Sequence, residues 1–397
     1  MTDFENVLAD GTARGTNIVP GCVVAAVDKD GNFLSSKASG YSGVGVESKP
    51  INLDTTFWIA SCTKLIGTVA VLQCVERGQI YLDEPVGHVL HELANPEIIH
   101  ERKSGTVGSP FNVHPTTKKI TARQLLCHTS GLAYDIFNPT LAAWRASRGE
   151  SLQGFAGDVT TAHAVPLVFE PGEGWSYSGG VDWAGEMVAR VNNTTFGHYV
   201  QQHIFEPLGM KSPTFRLENH PETLARLMEM TERTVDGDLK ESVKPWPDNA
   251  PQDCAGIGLY CSMSDYVKVI GDLIKDSPIL LGRKTIEKEL FTPQLAQDSP
   301  SLKGLWSSAD ILGAMTGATG VKNGLNFNVG GLYMEEEGTF LKEGTLVWGG
   351  YPNLVWFMNR KHGVAAVYAT QLLPAGDPKS RSLAQQFMQE VWRITAR

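Results

Sequence analysis

No stretch of this chain has the features of a membrane protein, a secreted precursor or a nucleic-acid binder. No apolar run approaches the ~20 residues that a helix needs to cross a bilayer. The opening Met1-Thr-Asp-Phe-Glu-Asn lacks a basic segment followed by an apolar one, so no signal peptide is visible and the cytoplasm is the expected location. Without secretion, the sequons at Asn192 and Asn193 read as chance matches. There is no long basic run, and the net charge is −9, which argues against nucleic acid and anionic membrane as partners. The six cysteines, Cys22, Cys62, Cys74, Cys127, Cys254 and Cys261, lack C-x-x-C spacing. Zinc-ribbon and thioredoxin-like readings therefore fail, and buried free thiols are expected. The chain also lacks H-x-H and H-E-x-x-H for zinc, the P-loop pattern for a nucleotide, and the G-x-S-x-G nucleophile elbow. No metal and no cofactor is expected.

What is present is a chain of 397 residues, 42% hydrophobic and 19% charged, able to bury a sizeable core. After an N-terminal segment (1–17) with room for a short helix, Pro20 opens an apolar run. The turn Asp28-Lys-Asp-Gly-Asn32 follows, then a second strand to about Gly40, which together read as a hairpin. A helix is expected from Ser61 to about Arg77, ended by Gly78. Further helical stretches are Thr121–His128, Val181–Val191, Phe196–Phe205 and Ser264–Leu273. Strand patterns return at Leu325–Tyr333, Gly344–Trp348, Leu354–Asn359 and Val364–Thr370, before a last helix over Ser380–Ala396. Strands at both ends and helices between them predict an α/β (α+β) fold. Residues 1–80 and 321–397 would form an antiparallel sheet flanked by the terminal helices, and 81–320 a mostly helical inserted lobe. A cleft between the two parts is the natural place for a site.

The chemistry centres on Phe57-Trp-Ile-Ala-Ser61-Cys-Thr-Lys64. A serine hydroxyl near neutral pH needs a base beside it to act as a nucleophile. Residues i and i+3 share a helix face, so Lys64 can reach the Oγ of Ser61. At a helix start the backbone N–H of Ser61 is free to face a developing oxyanion. S-x-x-K alone equally describes an N-cap serine followed by a surface lysine. Trp175-Ser-Tyr177-Ser-Gly-Gly180 offers a tyrosine at a loop–helix junction, either a proton relay or a core residue. Trp348-Gly349-Gly350-Tyr351-Pro-Asn353 ends a strand. Its glycines suit either close approach of a substrate to the backbone or a β-turn.

Taken in this order, Ser61-x-x-Lys64, Tyr177 and Trp348-Gly-Gly resemble the serine β-lactamase and penicillin-binding-protein superfamily. Leu125-Leu-Cys-His-Thr-Ser-Gly-Leu132, Leu72-Gln-Cys-Val-Glu-Arg-Gly78, Asp182-Trp-Ala-Gly185 and Gly350-Tyr-Pro-Asn353 extend the resemblance over roughly residues 15–395. The chain is most similar to the class C-like esterase branch, and within it to fungal lovastatin-type acyltransferases (transesterases). The resemblance implies a β-lactamase-like fold with Ser61 as the acylated nucleophile. Lys64 and Tyr177 would be its acid/base pair, and the N–H groups of Ser61 and Tyr351 its oxyanion hole. It also implies that the His128 segment is mainly structural.

Two departures matter. Trp348-Gly-Gly replaces Lys-Thr-Gly, so the cation that helps hold a β-lactam carboxylate is gone. Tyr177-Ser-Gly replaces Tyr-x-Asn, which removes an amide anchor. An apolar pocket is expected instead, with Trp348, Gly349, Gly350, Tyr134 and Trp306 as substrate-binding candidates; Trp144 and Trp246 also invite that reading. The expected activity is acyl transfer from an ester or thioester of a bulky apolar compound, to water or to an alcohol. The partners would be a small acyl donor, an alcohol acceptor, and an acyl-carrier-protein thioester. A peptidase or amidase on the same scaffold, and a non-catalytic binder, remain alternatives at this point.

Overall fold

The computed structural model describes residues 3–102, 110–321 and 323–396. Residues 1 and 2 of the expected N-terminal segment, and the last residue, 397, lie outside the described residues. Helix α1 (Asp3–Thr12) precedes the expected hairpin of β1 (Gly21–Asp28) and β2 (Phe33–Gly40). Asp28 closes the turn by accepting from the N–H groups of Asp30 and Asn32, each at 2.9 Å, as the Asp-Lys-Asp-Gly-Asn signal predicts. A short strand β3 (Thr56–Trp58) leads into α2 (Thr63–Glu76). Gly78, with φ +68°, takes the left-handed conformation that ends the chain's helical run.

The central part contributes α3 (Ala122–Leu126), α4 (Gly180–Val191), β4 (Tyr260–Ser262) and α5 (Met263–Asp272). The C-terminal part adds β5 (Leu325–Phe327), β6 (Leu332–Met334), β7 (Leu346–Gly350), β8 (Leu354–Asn359), β9 (Val364–Ala369) and α6 (Pro378–Thr395). Together they form a seven-stranded antiparallel sheet in the order β2-β1-β9-β8-β7-β6-β5. The sheet thus joins the two ends of the chain: Val23 pairs with Ala369 and Ala25 with Val367.

The near-continuous apolar runs of β1, β8 and β9 are buried along their length because both faces of the sheet are covered. Tyr368 on β9 bonds Ser380 of α6 (3.1 Å), while Val27 of β1 meets Gly271 of α5 on the opposite face. Helix α5 therefore lies on the sheet although it comes from the middle of the chain. Edge strand β2 is half-exposed and carries Lys37, a charge that discourages pairing with another chain. Helix α2 is buried all round from Thr63 to Cys74, which makes it the central strut between sheet and helices.

Several boundaries differ from expectation for identifiable reasons. The run Leu325–Tyr333 splits into two strands because the Asn328 side chain accepts from the N–H groups of Gly330 and Gly331 (2.9 and 3.1 Å) and turns the chain. Phe196–Phe205 is α-helical only to Val200 and continues as a π-turn. The last helix begins at Pro378, since the Asp377 carboxylate caps it through Ser380 N–H. All six cysteines are buried and unbridged. Among the described residues no helix is long and apolar enough to cross a membrane.

Helices α2 and α4 meet at a missing side chain, since a Cβ on Gly67 of α2 would lie 2.8 Å from Val181 Cγ1 of α4. A Cβ on Gly185 would lie 2.3 Å from the Ala255 Cβ. Gly185→Ala should therefore lower the unfolding free energy by about 1–3 kcal/mol, as overpacking does. Urea unfolding checks this, and an unchanged midpoint would show that the 255 segment yields freely.

Candidate active site

The segment that carries Ser61 is strapped from several sides. Strand β3 pairs with β4, and the N–H of Ile59 bonds the carbonyl of Leu259 (3.0 Å). Trp58 donates its ring N–H to Ile257 (2.9 Å), Tyr266 its hydroxyl to the Cys62 carbonyl (2.9 Å), and Thr63 its hydroxyl to the Ala60 carbonyl (2.6 Å). Within these ties Ala60 is held at φ +46°, a conformation that costs a non-glycine residue about 1–3 kcal/mol. Residues Ala60–Cys62 form a 3-10 turn, and the α-helix proper starts at Thr63. Ser61 thus lies in the turn before α2 rather than as its first α-helical residue, and it is half-buried, open to a ligand.

Lys64 is 3% exposed. Three oxygens face its nitrogen: the Gly256 carbonyl at 2.8 Å, Tyr134 Oη at 3.2 Å and Ser61 Oγ at 3.4 Å. Tyr177 Oη donates to the same Oγ at 2.7 Å. Lys64 Nζ also stands 4.8 Å from the Tyr177 ring centre, within cation–π range. The structure therefore brings together the serine, the lysine and the tyrosine that the sequence singles out. It places Tyr134, buried, as a direct partner of Lys64.

Tyr177 reaches this point because two glycines follow it. A Cβ on Gly179 would lie 2.3 Å from the His163 ring, and one on Gly180 2.3 Å from the Leu125 carbonyl. Only without side chains can α4 start against α3 at this height. Behind Tyr177 stands an aromatic wall. Trp348 (5.3 Å) and His128 (4.8 Å) touch its ring, and Phe327 packs on both. Outside it lie the exposed Phe137, stacked at 6.4 Å, and the half-buried Phe155–Tyr351 pair at 5.5 Å.

Gly349 and Gly350 work through the backbone. A Cβ on Gly350 would be 2.4 Å from the Ile59 carbonyl, so this glycine docks the end of β7 against the turn that carries Ser61. Trp306 is tied elsewhere: its ring N–H bonds the Leu325 carbonyl (2.8 Å), and no ring contact joins it to Tyr177 or Trp348 among the described residues. Trp246 stacks on Trp58 (6.4 Å), and Trp144 lies under Arg148 (4.8 Å). Two participants escape a motif reading, and a third enters one without a role. Gly256 acts through its carbonyl, which no residue type advertises. His163 and Asp182 lie behind it; Asp182 figures only as the first residue of the Asp182-Trp-Ala-Gly185 match.

His128 makes no contact with Ser61 among the described interactions; its Nδ1 pairs with Ser178 Oγ at 3.2 Å. Burial, and secondarily the charge of Lys64, push its pKa well below the ordinary histidine value. The folded state keeps this ring neutral, whereas the unfolded chain takes up a proton below about pH 6.5. Stability from this residue is thus present above that value and lost as pH falls, by up to about 1.4 kcal/mol per pH unit. In urea unfolding between pH 8 and 5, the stability advantage of wild type over His128→Gln should shrink toward acid. A difference independent of pH would contradict the assignment.

The whole chain is similar to a known group of proteins. Residues 10–387 match the beta-lactamase family. The chain is 35% identical to an acyltransferase of Penicillium decumbens, with 99% of this chain and 98% of the relative covered. It is 30% identical to the lovastatin esterase of Penicillium rubens, covering 96% of each. Among solved structures, unliganded simvastatin synthase from Aspergillus terreus superposes with a TM-score of 0.88 at 30% identity, over 98% of this chain and 97% of that one. A buried lysine and a tyrosine converging on one serine, in this fold and with these relatives, place the chain in the beta-lactamase family, as an enzyme of its fungal acyltransferase and esterase branch.

Proposed function

We propose that this enzyme transfers an acyl group through an ester formed at Ser61. The observation that carries the reading is the 2.7 Å contact of Tyr177 Oη with Ser61 Oγ, with Lys64 Nζ 3.4 Å from the same atom. With the Tyr177–Lys64 pair one proton short (a phenol beside a neutral amine, or a phenolate beside the ammonium), Ser61 Oγ attacks the carbonyl carbon of an ester or thioester and its proton passes to the pair. The oxyanion is held by the N–H groups of Ser61 and Tyr351, the latter brought close by Gly350. As the tetrahedral adduct collapses, the alkoxide or thiolate leaves with that proton. An alcohol, or water, then gives its own proton to the pair and attacks the Ser61 ester; it departs with the acyl group as the pair returns that proton to the leaving Ser61 Oγ.

We place the active site in the cleft between the sheet part, 1–80 with 321–397 and helix α5 packed on it, and the rest of the inserted part, 81–320. Its walls favour a bulky apolar group: Trp348, Tyr177, Phe137, Phe155 and Tyr351 are aromatic, and position 348 offers no cation for a β-lactam carboxylate. Relatives named for acyl transfer and for lovastatin ester cleavage bracket the two fates of the acyl group. We take the donor to be a small-molecule ester or thioester, or a thioester carried on an acyl-carrier protein.

Incubation with an acyl thioester, with and without bulky alcohols, separates the two fates. Transfer predicts that a fitting alcohol accelerates donor consumption and yields its ester; a plain esterase shows neither. Lys64→Ala and Tyr177→Phe should each lower kcat by about 10²–10⁴-fold. Wild-type kcat in either variant would overturn the assignment of the pair.

A further inference from the structure

We propose that Asp182 is a positioning residue for Lys64, acting through the backbone of Gly256. The inference rests on the reading of Lys64 as part of the acid/base pair. Asp182 lies in the first turn of α4 with its carboxylate completely buried. A carboxylate there is costly to desolvate and adds little stability unless its oxygens are engaged. Its Oδ1 accepts from the N–H of Gly256 at 2.7 Å, and its Oδ2 faces His163 Nε2 at 3.5 Å. Gly256 in turn presents its carbonyl to Lys64 Nζ at 2.8 Å, the shortest of the three contacts of that nitrogen.

The stretch that makes this link has no slack. A Cβ on Gly256 would fall 2.4 Å from Asp182 Oδ2. Ala255 is wedged between the two helices: a Cβ on Gly67 of α2 would lie 3.0 Å from its carbonyl, and one on Gly185 of α4 2.3 Å from its Cβ. Asp182 therefore fixes one side of Gly256 and Lys64 reads the other. A lysine has a long flexible stem, so a carbonyl held in one place decides where its nitrogen points.

His163 completes the arrangement. Its ring contacts Asp182 and also packs edge-on against Tyr134 at 5.2 Å, the other non-reacting partner of Lys64. Both ties that aim Nζ at Ser61 thus share one buried support. Burial alone would push the Asp182 carboxyl up; the nearby His163 ring, the charge of Lys64 and the Gly256 N–H outweigh it and hold the group below its ordinary value. The carboxylate form, a pure acceptor, suits the link.

Steady-state hydrolysis of a chromogenic ester by the full chain tests this, with rates normalised to the folded fraction from near-UV circular dichroism. Asp182→Leu keeps volume but removes the acceptor, and should lower kcat by about 10–100-fold with KM nearly unchanged, the scale expected of a misplaced catalytic group. Asp182→Asn keeps an acceptor for Gly256 N–H and should restore kcat to within several-fold of wild type. Wild-type kcat in Asp182→Leu, or a change confined to KM, overturns the proposal. So does a folded Asp182→Asn that loses as much kcat as expected for Asp182→Leu, a result that also decides the matter should the leucine variant not fold. Lys64→Ala, run alongside, separates the two claims. If it keeps wild-type kcat, the acid/base reading falls; if it is inactive while Asp182→Leu is not, only the positioning role falls.

Discussion

A lysine nitrogen buried with three oxygens around it is the constraint on which the rest of this molecule depends. Lys64 is removed from water, so its nitrogen depends on protein partners, and the three it has come from three parts of the chain. Ser61 comes from the turn before α2, Tyr134 from the segment after α3, and Gly256 from the segment before β4. Three stretches distant in sequence therefore meet within hydrogen-bonding distance of one atom. The fold has to hold them there, and much of its irregular detail follows from that demand.

The glycines show how the demand is met. Gly67 and Gly185 let α2 and α4 close on Ala255; Gly179 and Gly180 let α4 start beside His163 and α3; Gly350 lets β7 end on the carbonyl of Ile59. At each place a single methyl group would push apart two elements that both carry part of the site. The positive φ of Ala60 is a cost of the same kind, accepted just before the nucleophile and held by the bonds of Ile59, Cys62 and Thr63 to their neighbours. The sheet and its covering helices provide the rigid mass against which these strained approaches are stable.

How much of this could be read in advance depended on what kind of group does the work. Ser61 and Lys64 have a spacing that also suits an N-cap and a surface lysine; they became legible through Tyr177 and Trp348-Gly-Gly, because the order of all of them along the chain fits one fold. The hairpin, α2 and the C-terminal strands followed from periodicity and turn residues. Gly256 was not legible, since it contributes a carbonyl that every residue has. Asp182 entered only within the Asp182-Trp-Ala-Gly185 match, with no role, because its partner lies 74 residues away. Tyr134 was picked for its ring, whereas its hydroxyl is what meets Lys64. The break at Asn328-Val-Gly-Gly was a readable turn signal, outweighed by the apolar residues on either side.

The central claim, that these groups exist to acylate Ser61, is open to one direct measurement. The enzyme is mixed with excess acyl thioester, quenched in acid within the first turnover, digested, and its peptides weighed. The account predicts the acyl mass on the peptide that contains Ser61, absent in Ser61→Ala. Acyl mass on another residue, or turnover that persists in Ser61→Ala at the wild-type rate, would contradict it.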